Sequence, residues 1–462
     1  MEKVFIGHSE GGYPDKHSMY SPDKRYPEYR YTDISRDKNG VYETVRCMFC
    51  NMKLDYKNYG MPTWNPLGEF ISSGQTVLIK PNWVMHKNLN EQVYDGGVDC
   101  LVTHPSIVRA VIDYVLIALD GKGKVIIGDA PLPGCDLDTL FDEIGYKNLR
   151  QYYEDANENV EFVDFRDMNI GTTDKGYIVD LKTRSRFNDI KVADFDKLRI
   201  TSYNPSELKK HHCKGKHEYY ISKYTTEADV IINMPKPKTH RKAGMTGALK
   251  NMIGANAKKE YLPHHKMGSV IQGGDEYKYF NIFKIGKSLY EDKRNSAENL
   301  ENFQKKYQWI LKIIRRLQSI SQKDSFSEGS WYGNDTIWRT ILDVNYIVRH
   351  ITKEGILSDF EQRTVLSIGD MIVAGEGEGP LMPTPKNIGL IIGSFNATNF
   401  DIVVCKIMGF DYRKIPTIVN SLNTIEEPEF DVIFNNQKQT MDEISYDFEP
   451  ASGWRILKKR EK

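Results

Sequence analysis

The densest run of chemically able side chains lies between Asn233 and Gly254. There Asn233-Met234-Pro235-Lys236-Pro237-Lys238-Thr239-His240 leads into Gly244-Met245-Thr246-Gly247-Ala248-Leu249-Lys250-Asn251. Lys236, Lys238 and Lys250 offer ammonium groups, and Asn251 an amide that can fix orientation. Gly244 and Gly247 allow close backbone approach, as anion sites often require. Thr246 is placed to cap a helix whose first N–H groups would face an anion. The Gly-Lys-Ser/Thr order of a Walker loop is absent. The pattern predicts a site for a carboxylate or phosphate; the competing reading is a solvated basic turn. His240 is the natural proton carrier, because a free imidazole titrates near neutrality. Lys250 is a second catalytic candidate, but a lysine base needs burial or a neighbouring cation to lower its pKa.

Three more clusters share the placement of this one, just beyond an expected strand end. Lys80-Pro81-Asn82 and Gly128-Asp129-Ala130-Pro131 supply Lys80, Asn82 and Asp129 as substrate-binding candidates, alongside Lys236, Lys238 and Asn251. The last runs from Asp370 to Gly379-Pro380 and sets Glu376 and Glu378 between glycines. With Asp401, these carboxylates can ligate a hard cation such as Mg²⁺ or Mn²⁺, or clamp a Lys or Arg. A basic cluster facing this acidic one would suit a zwitterion, or a metal and an anion together. His211-His212-Cys213, His217 and Cys47-x-x-Cys50 have the ligand chemistry of zinc, provided distant segments meet.

These clusters need a scaffold that gathers strand ends. Strands are expected at Thr76–Ile79, Lys124–Gly128, near Glu161–Phe165, and at Ala228–Asn233, Thr364–Ile368, Ile388–Ile392 and Phe430–Phe434. Helices are expected near Ser106–Leu119, Asp138–Ile144 and Thr336–His350. The alternation predicts an α/β fold, a parallel or mixed sheet flanked by helices. In such sheets ligands bind outside the carboxyl ends of the strands. Residues 1–73 are rich in Tyr, Pro, Asp and Arg and read as an irregular extension strapped over the body, without long regular elements. Residues 74–287 form the first α/β part, 288–330 a charged helical insertion, and 331–462 a second α/β part completing the same core. In the insertion Phe303, Tyr307, Ile310, Ile314 and Leu317 recur at helical spacing, flanked by Lys305, Lys306, Lys312, Arg315 and Arg316. That helix packs on the body or on a second copy, or lies on a membrane surface. Arg339 and Asp343, four apart on the helix starting near Thr336, are expected to face one another.

Composition narrows the classes. The 462 residues carry 63 Lys plus Arg against 63 Asp plus Glu, which argues against an essentially electrostatic nucleic-acid binder. No apolar run approaches the ~20 residues that span a bilayer. The 6 cysteines are scattered and no secretory leader is evident, so a reducing, cytoplasmic setting is expected. An early Gly-x-Gly-x-x-Gly is missing, which disfavours a dinucleotide-binding dehydrogenase.

The stretches VLIKPNWV, VIIGDAP, ADVIINMPKPKTHRKAGMTGALKNMIG, YLPHH, GNDTIWRTILDVN, GEGEGP and FNATNFDIVVCKIMGFD occur in that order. Together they resemble the family called domain of unknown function 362 (DUF362). The resemblance implies that Lys236, Lys238, His240, Lys250, Asn251, Asp335, Arg339, Asp343, Asn345, Glu376, Glu378 and Asp401 belong to a shared site or its support. It also favours His264, after Pro263, over His265 as a third catalytic candidate, and gives Arg339 and Asn345 substrate-ordering roles. Some relatives carry an appended ferredoxin-like iron–sulfur domain; the cysteine run that would hold one is missing from this sequence. The combined reading is an enzyme using acid–base or metal-assisted chemistry on a small anionic or zwitterionic molecule, with a homo-oligomer allowed. The alternative is a non-catalytic ligand-binding or biosynthetic-complex protein.

Overall fold

A computed structural model describes the chain except residues 1, 94–96, 169–173, 298, 322–325, 423–425, 427, 441–443 and 459–462, and except the side chains of 318–321. Residues 322–325 of the helical insertion thus lie outside the described residues. The scaffold is an eleven-stranded mixed sheet. Its strands are β1 (Glu2–His8), β2 (Thr76–Lys80), β3 (Lys124–Asp129), β4 (Val160–Asp164), β5 (Val230–Asn233), β6 (Lys238–His240), β7 (Gly244–Thr246), β8 (Thr364–Glu378), β9 (Met382–Ser394), β10 (Phe430–Phe434) and β11 (Gln437–Gln439). The main path runs β11-β10-β1-β9-β8-β5-β2-β3-β4, and β6 leaves it by pairing with both β7 and β8.

The centre of the sheet, β8-β5-β2-β3-β4, is parallel. Its strands are apolar on both faces, as burial on both sides demands. Val77, Ile79, Val125 and Ile127 pack into one core with α1 (Gly40–Asn51) and α2 (Pro105–Leu119). Leu78, Ile126 and Ile231 point the other way, into a core built with α8 (Ile337–His350). Between α2 and α8 in the chain lie α3 (Leu137–Ile144), α4 (Tyr146–Asp155), the short α5 (Ala248–Asn251), and the insertion hairpin of α6 (Ile282–Asn295) and α7 (Leu300–Ser321). A third core gathers around α9 (Ala397–Ile407).

Chain order along the sheet locates the crevice. From β2 the chain steps outward through β3 to β4, then returns to the opposite side of β2 as β5. The connections on the two sides of this switch point diverge, and the gap they leave at the strand carboxyl ends lies between Lys80 and Asn233.

Two expectations about local structure are corrected. Residues 1–73 hold an edge-to-centre strand, β1, and a 12-residue helix, α1. Pro14, Pro22 and Pro27 precede α1, and Pro62 and Pro66 follow it, so the helix forms in a stretch free of proline. From Asn39, whose side chain accepts from the Tyr42 N–H, the chain has a capped start and an apolar stripe. The Gly/Glu segment is ladder rather than loop, since β8 runs to Glu378 and pairs antiparallel with β9 as far as Glu378–Met382. Glycine is required within it, because a Cβ at Gly375 would stand 3.0 Å from the Lys238 Cβ.

Candidate functional site

The carboxyl ends of β2, β3 and β5 hold the first group of expected residues together. Lys80 Nζ donates to Asp129 Oδ1 at 2.8 Å, and both side chains are buried. Burial lowers the Lys80 pKa even beside its carboxylate. Asp129 Oδ2 accepts the Trp83 N–H. Gly254 closes over this pair, where a Cβ would lie 1.8 Å from Asp129 Oδ1. Across the crevice, Asn82 donates to Asn251 Oδ1 and Asn251 donates to Asn233 Oδ1, each at 2.8 Å. Three amides therefore bridge β2 to β5. Lys238 reaches in from β6 and donates to Asn82 Oδ1 at 2.6 Å and to the Leu101 carbonyl. Desolvation, then the neighbouring Lys236, bring its pKa down to about 7.

A second group forms around Lys236. Its ammonium pairs with Asp370 at 2.9 Å and donates to the Tyr13 hydroxyl, which itself donates to Asp370 at 2.6 Å. Tyr13 stacks on His104 with centroids 3.8 Å apart. The N-terminal strap thus supplies a side chain to the site. Sequence reasoning missed Tyr13 and His104: the strap's aromatic content hints at burial, but no local spacing ties residue 13 to residue 236. Asp370, which opens the Gly/Glu cluster in sequence, is the counter-ion of Lys236.

The third group is the open one. His240, Lys250 and His264 lie within electrostatic reach of one another, joined by Lys242. Two backbone N–H groups, of Lys242 and Ala243, donate to His240 Nδ1 at 3.1 Å. That atom must accept, so the ring proton sits on Nε2. His264 is the reverse: its Nδ1 lies 2.6 Å from the Leu262 carbonyl, which can only accept, so its Nε2 is an unprotonated lone pair. Burial, reinforced by nearby lysines, holds both imidazoles well below their usual pKa and therefore neutral. Lys259 donates to the Ala130 carbonyl and Lys242 to Thr201 Oγ1, both neutral partners. Among the described residues the Lys250 ammonium meets neither a carboxylate nor a hydrogen-bond acceptor, and it is half-buried. Desolvation, then Lys259 and Lys80, lower its pKa to about 7; Lys259 falls to about 8. Lys242 and Lys259 also escaped sequence reasoning. They sit in plain basic context, and only the fold aims them at His240 and Asp129.

Support for this group comes from Asp401. Its buried carboxylate accepts the N–H groups of Ala248 at 2.5 Å and Leu249 at 3.3 Å, capping α5. Burial raises its pKa to about 7. The helix start expected to face a ligand anion is therefore occupied by the chain's own carboxylate, and Thr246 does not cap it. Gly247 is needed there, since a Cβ would stand 2.1 Å from Asp401 Oδ1. Asn345 donates to the Leu249 carbonyl at 2.8 Å and so holds α5 from the other side.

The remaining candidates lie elsewhere. Arg339 pairs with Asp189 and Asp335 rather than with Asp343. Asp343 turns inward to Ser185, the Arg186 N–H and Tyr219. The expected ion pair fails because Asp343 lies on the buried side of α8, where two hydroxyls and an N–H already satisfy it. Glu376 pairs with Lys386 at 2.9 Å and accepts the Glu449 N–H; Glu378 pairs with Arg241 at 3.3 Å and accepts the Ser452 N–H. Asp401, on α9 and bound to the start of α5, belongs to neither pair. Among the described residues no group of three or more His, Cys, Asp or Glu side chains is arranged to hold a metal. His212 and His217 lie in an aromatic cluster with Phe187, with burial lowering their pKa to about 3 and about 4. Cys47 and Cys50 are on α1.

Comparison with known proteins adds the following. A thylakoid-associated protein of Synechocystis sp. is 23% identical over 352 residues, which cover 76% of this chain and 68% of that protein. A crystal structure of a protein from Thermotoga maritima aligns over 75% of this chain at 9% identity and a TM-score of 0.29; the chain spans 56% of that one. The family model described as Domain of unknown function (DUF362) matches residues 77–195 and 184–406. These segments cover most of the sequence and include all three groups of the crevice except Tyr13, so the chain belongs to the DUF362 family.

Proposed function

We propose that this protein is an enzyme that binds a small carboxylate or phosphate at the crevice between β2 and β5 and moves a proton on it. One observation carries the reading: Lys238, Lys242, Lys250 and Lys259 converge on two neutral imidazoles, and among the described residues none of the four ammonium groups forms an ion pair. Buried cations without counter-ions are costly, and a bound anion offsets that cost. Asp129, within reach of Lys238, Lys250 and Lys259, is committed to Lys80, and Asp370 to Lys236; Glu328, within reach of Lys242, accepts from Thr201 Oγ1. An anion therefore fits better than a zwitterion, whose ammonium would find no free acceptor carboxylate.

The opposed tautomers give the chemistry a direction. The Nε2 lone pair of His264 is the base, and the Nε2–H of His240 is the acid or hydrogen-bond donor to developing negative charge. Lys250 neutralises the substrate anion, and Asn251, held by Asn82 and Asn233, fixes the position of the helix that carries it. Six free cysteines accord with work in a reducing compartment.

A panel of small carboxylates and inorganic phosphate, titrated by calorimetry and followed by NMR in D₂O, tests both halves. Binding with solvent-deuterium exchange at a carbon next to the carboxylate supports the enzyme. Binding without exchange or turnover makes the protein a ligand-binding module. Failure of every anion to bind removes the reading.

A further inference from the structure

The insertion hairpin carries a surface that the crevice does not use. Along α7, Phe303, Tyr307 and Ile314 face α6: Phe303 lies 5.5 Å from the Tyr290 ring, and a Cβ at Gly286 would meet Ile314 at 3.6 Å. The apolar stripe continues round the helix from that face. Trp309, Ile313 and Leu317 follow at intervals of four and are 58%, 50% and 41% exposed. Residues 300–317 hold five cations, Lys305, Lys306, Lys312, Arg315 and Arg316, against the single anion Glu301. Lys305 pairs with that anion at 2.7 Å. At 100° per residue, Lys306 falls within the arc of Trp309, Ile313 and Leu317, and Lys305, Lys312 and Arg316 border that arc on the side away from α6.

We propose that α7 docks this ridge onto the surface of an anionic lipid bilayer. An apolar ridge with a tryptophan at its head inserts at the headgroup boundary, while the long basic side chains within and beside it reach the phosphates. A protein partner is the poorer fit, because the cores of protein interfaces are depleted of charge and this face interleaves cations with its apolar residues. The helix lies on the membrane and does not cross it: among the described residues no helix is long and apolar enough to span one. The inference is independent of the crevice and of its chemistry.

The test uses the full chain and sedimentation with vesicles. One set is an equal mixture of phosphatidylcholine and phosphatidylserine, the other phosphatidylcholine alone. The protein is expected to pellet with the first set at low salt, to be released at high salt, and to stay in solution with the second. Lys306→Gln and Lys312→Gln should each weaken partition about fivefold, in keeping with a contribution near 1 kcal/mol per cation at such a surface. Trp309→Ser combined with Ile313→Ser should weaken it by more than about tenfold. These positions are exposed, so melting temperatures should not move. Absence of pelleting with the mixed vesicles, equal pelleting with both sets, or variants that pellet like the wild type would each overturn the proposal. A lipid-independent rise in mass at high protein concentration, abolished by the same substitutions, would assign the face to a second copy and overturn it as well.

Discussion

The basic crevice and the acidic hairpin look equally functional in sequence, yet they are built on opposite principles. On the β8–β9 hairpin each glutamate has a cation and a backbone N–H: Glu376 has Lys386 and Glu449, Glu378 has Arg241 and Ser452. In the crevice, among the described residues, only Lys80 and Lys236 are neutralised in this way. Lys250 is left without a partner among the described residues, at the end of a helix held from both sides by Asp401 and Asn345. Charge density in a sequence therefore says where ions are, and not whether they are spent. A satisfied pair is structure; a positioned, unsatisfied cation is capacity to bind.

The largest effect should come from disturbing the satisfied part of the crevice. Gly254→Ala places a Cβ on the Lys80–Asp129 pair. Forcing a buried pair apart costs about 3–5 kcal/mol, so chemical denaturation should show a loss of that order. A loss below 1 kcal/mol would mean the loop shifts freely and the pair is not confined. Lys250→Ala should do the reverse, lowering affinity for a bound anion by about ten- to a hundredfold while leaving stability unchanged or raised, as expected when an unpaired half-buried charge is removed. Loss of stability with unaltered anion affinity would place Lys250 in the structural class with Lys80.

The two regions should also differ in pH response. Lys238 and Lys250 titrate at about 7 and Lys259 at about 8 in the folded chain. Unfolded lysine titrates at about 10.4. Between these values the unfolded chain binds more protons, so stability contributed by these groups rises as pH goes from 7 to 10. Anion affinity moves the other way, since it needs the ammonium: it should fall as pH rises above 7, by up to about tenfold per pH unit, and the Lys250→Ala variant should flatten that slope. Calorimetry between pH 6 and 9 checks both signs. The smallest effect is expected at the hairpin. Glu376→Gln and Glu378→Gln remove partly exposed pairs and should each cost about 1 kcal/mol or less. Mg²⁺ or Mn²⁺ should leave the melting temperature in place as long as Lys386 and Arg241 hold the two carboxylates. A saturable rise, lost in both variants, would make them metal ligands after all.

How much of this was legible beforehand follows from range. Thr76–Lys80, Lys124–Asp129 and Val230–Asn233 are short β-branched runs ending at Lys-Pro, Asp-Ala-Pro and Met-Pro. Such punctuation is local, so the strands, the helices after them and the placing of Lys80, Asp129 and Lys236 at carboxyl ends could be read directly. The extent of β8 could not, because glycines and glutamates suit a loop equally well until β9 pairs with them. Nor could Tyr13, because a contact across 223 residues leaves no periodic trace.

The sequence by itself determined the family, the α/β class and the lysine-, histidine- and amide-rich run that supplies the crevice, since all of these rest on neighbouring residues and their spacing. Only the tertiary structure decided which ions cancel. It sent Asp401 to the start of α5, Asp370 to Lys236 and Asp129 to Lys80, and left Lys250 facing two imidazoles of opposite tautomer. The physical reason is that an ion pair acts over a few ångströms in space, and the distance along the chain between its partners is set by the topology of the sheet.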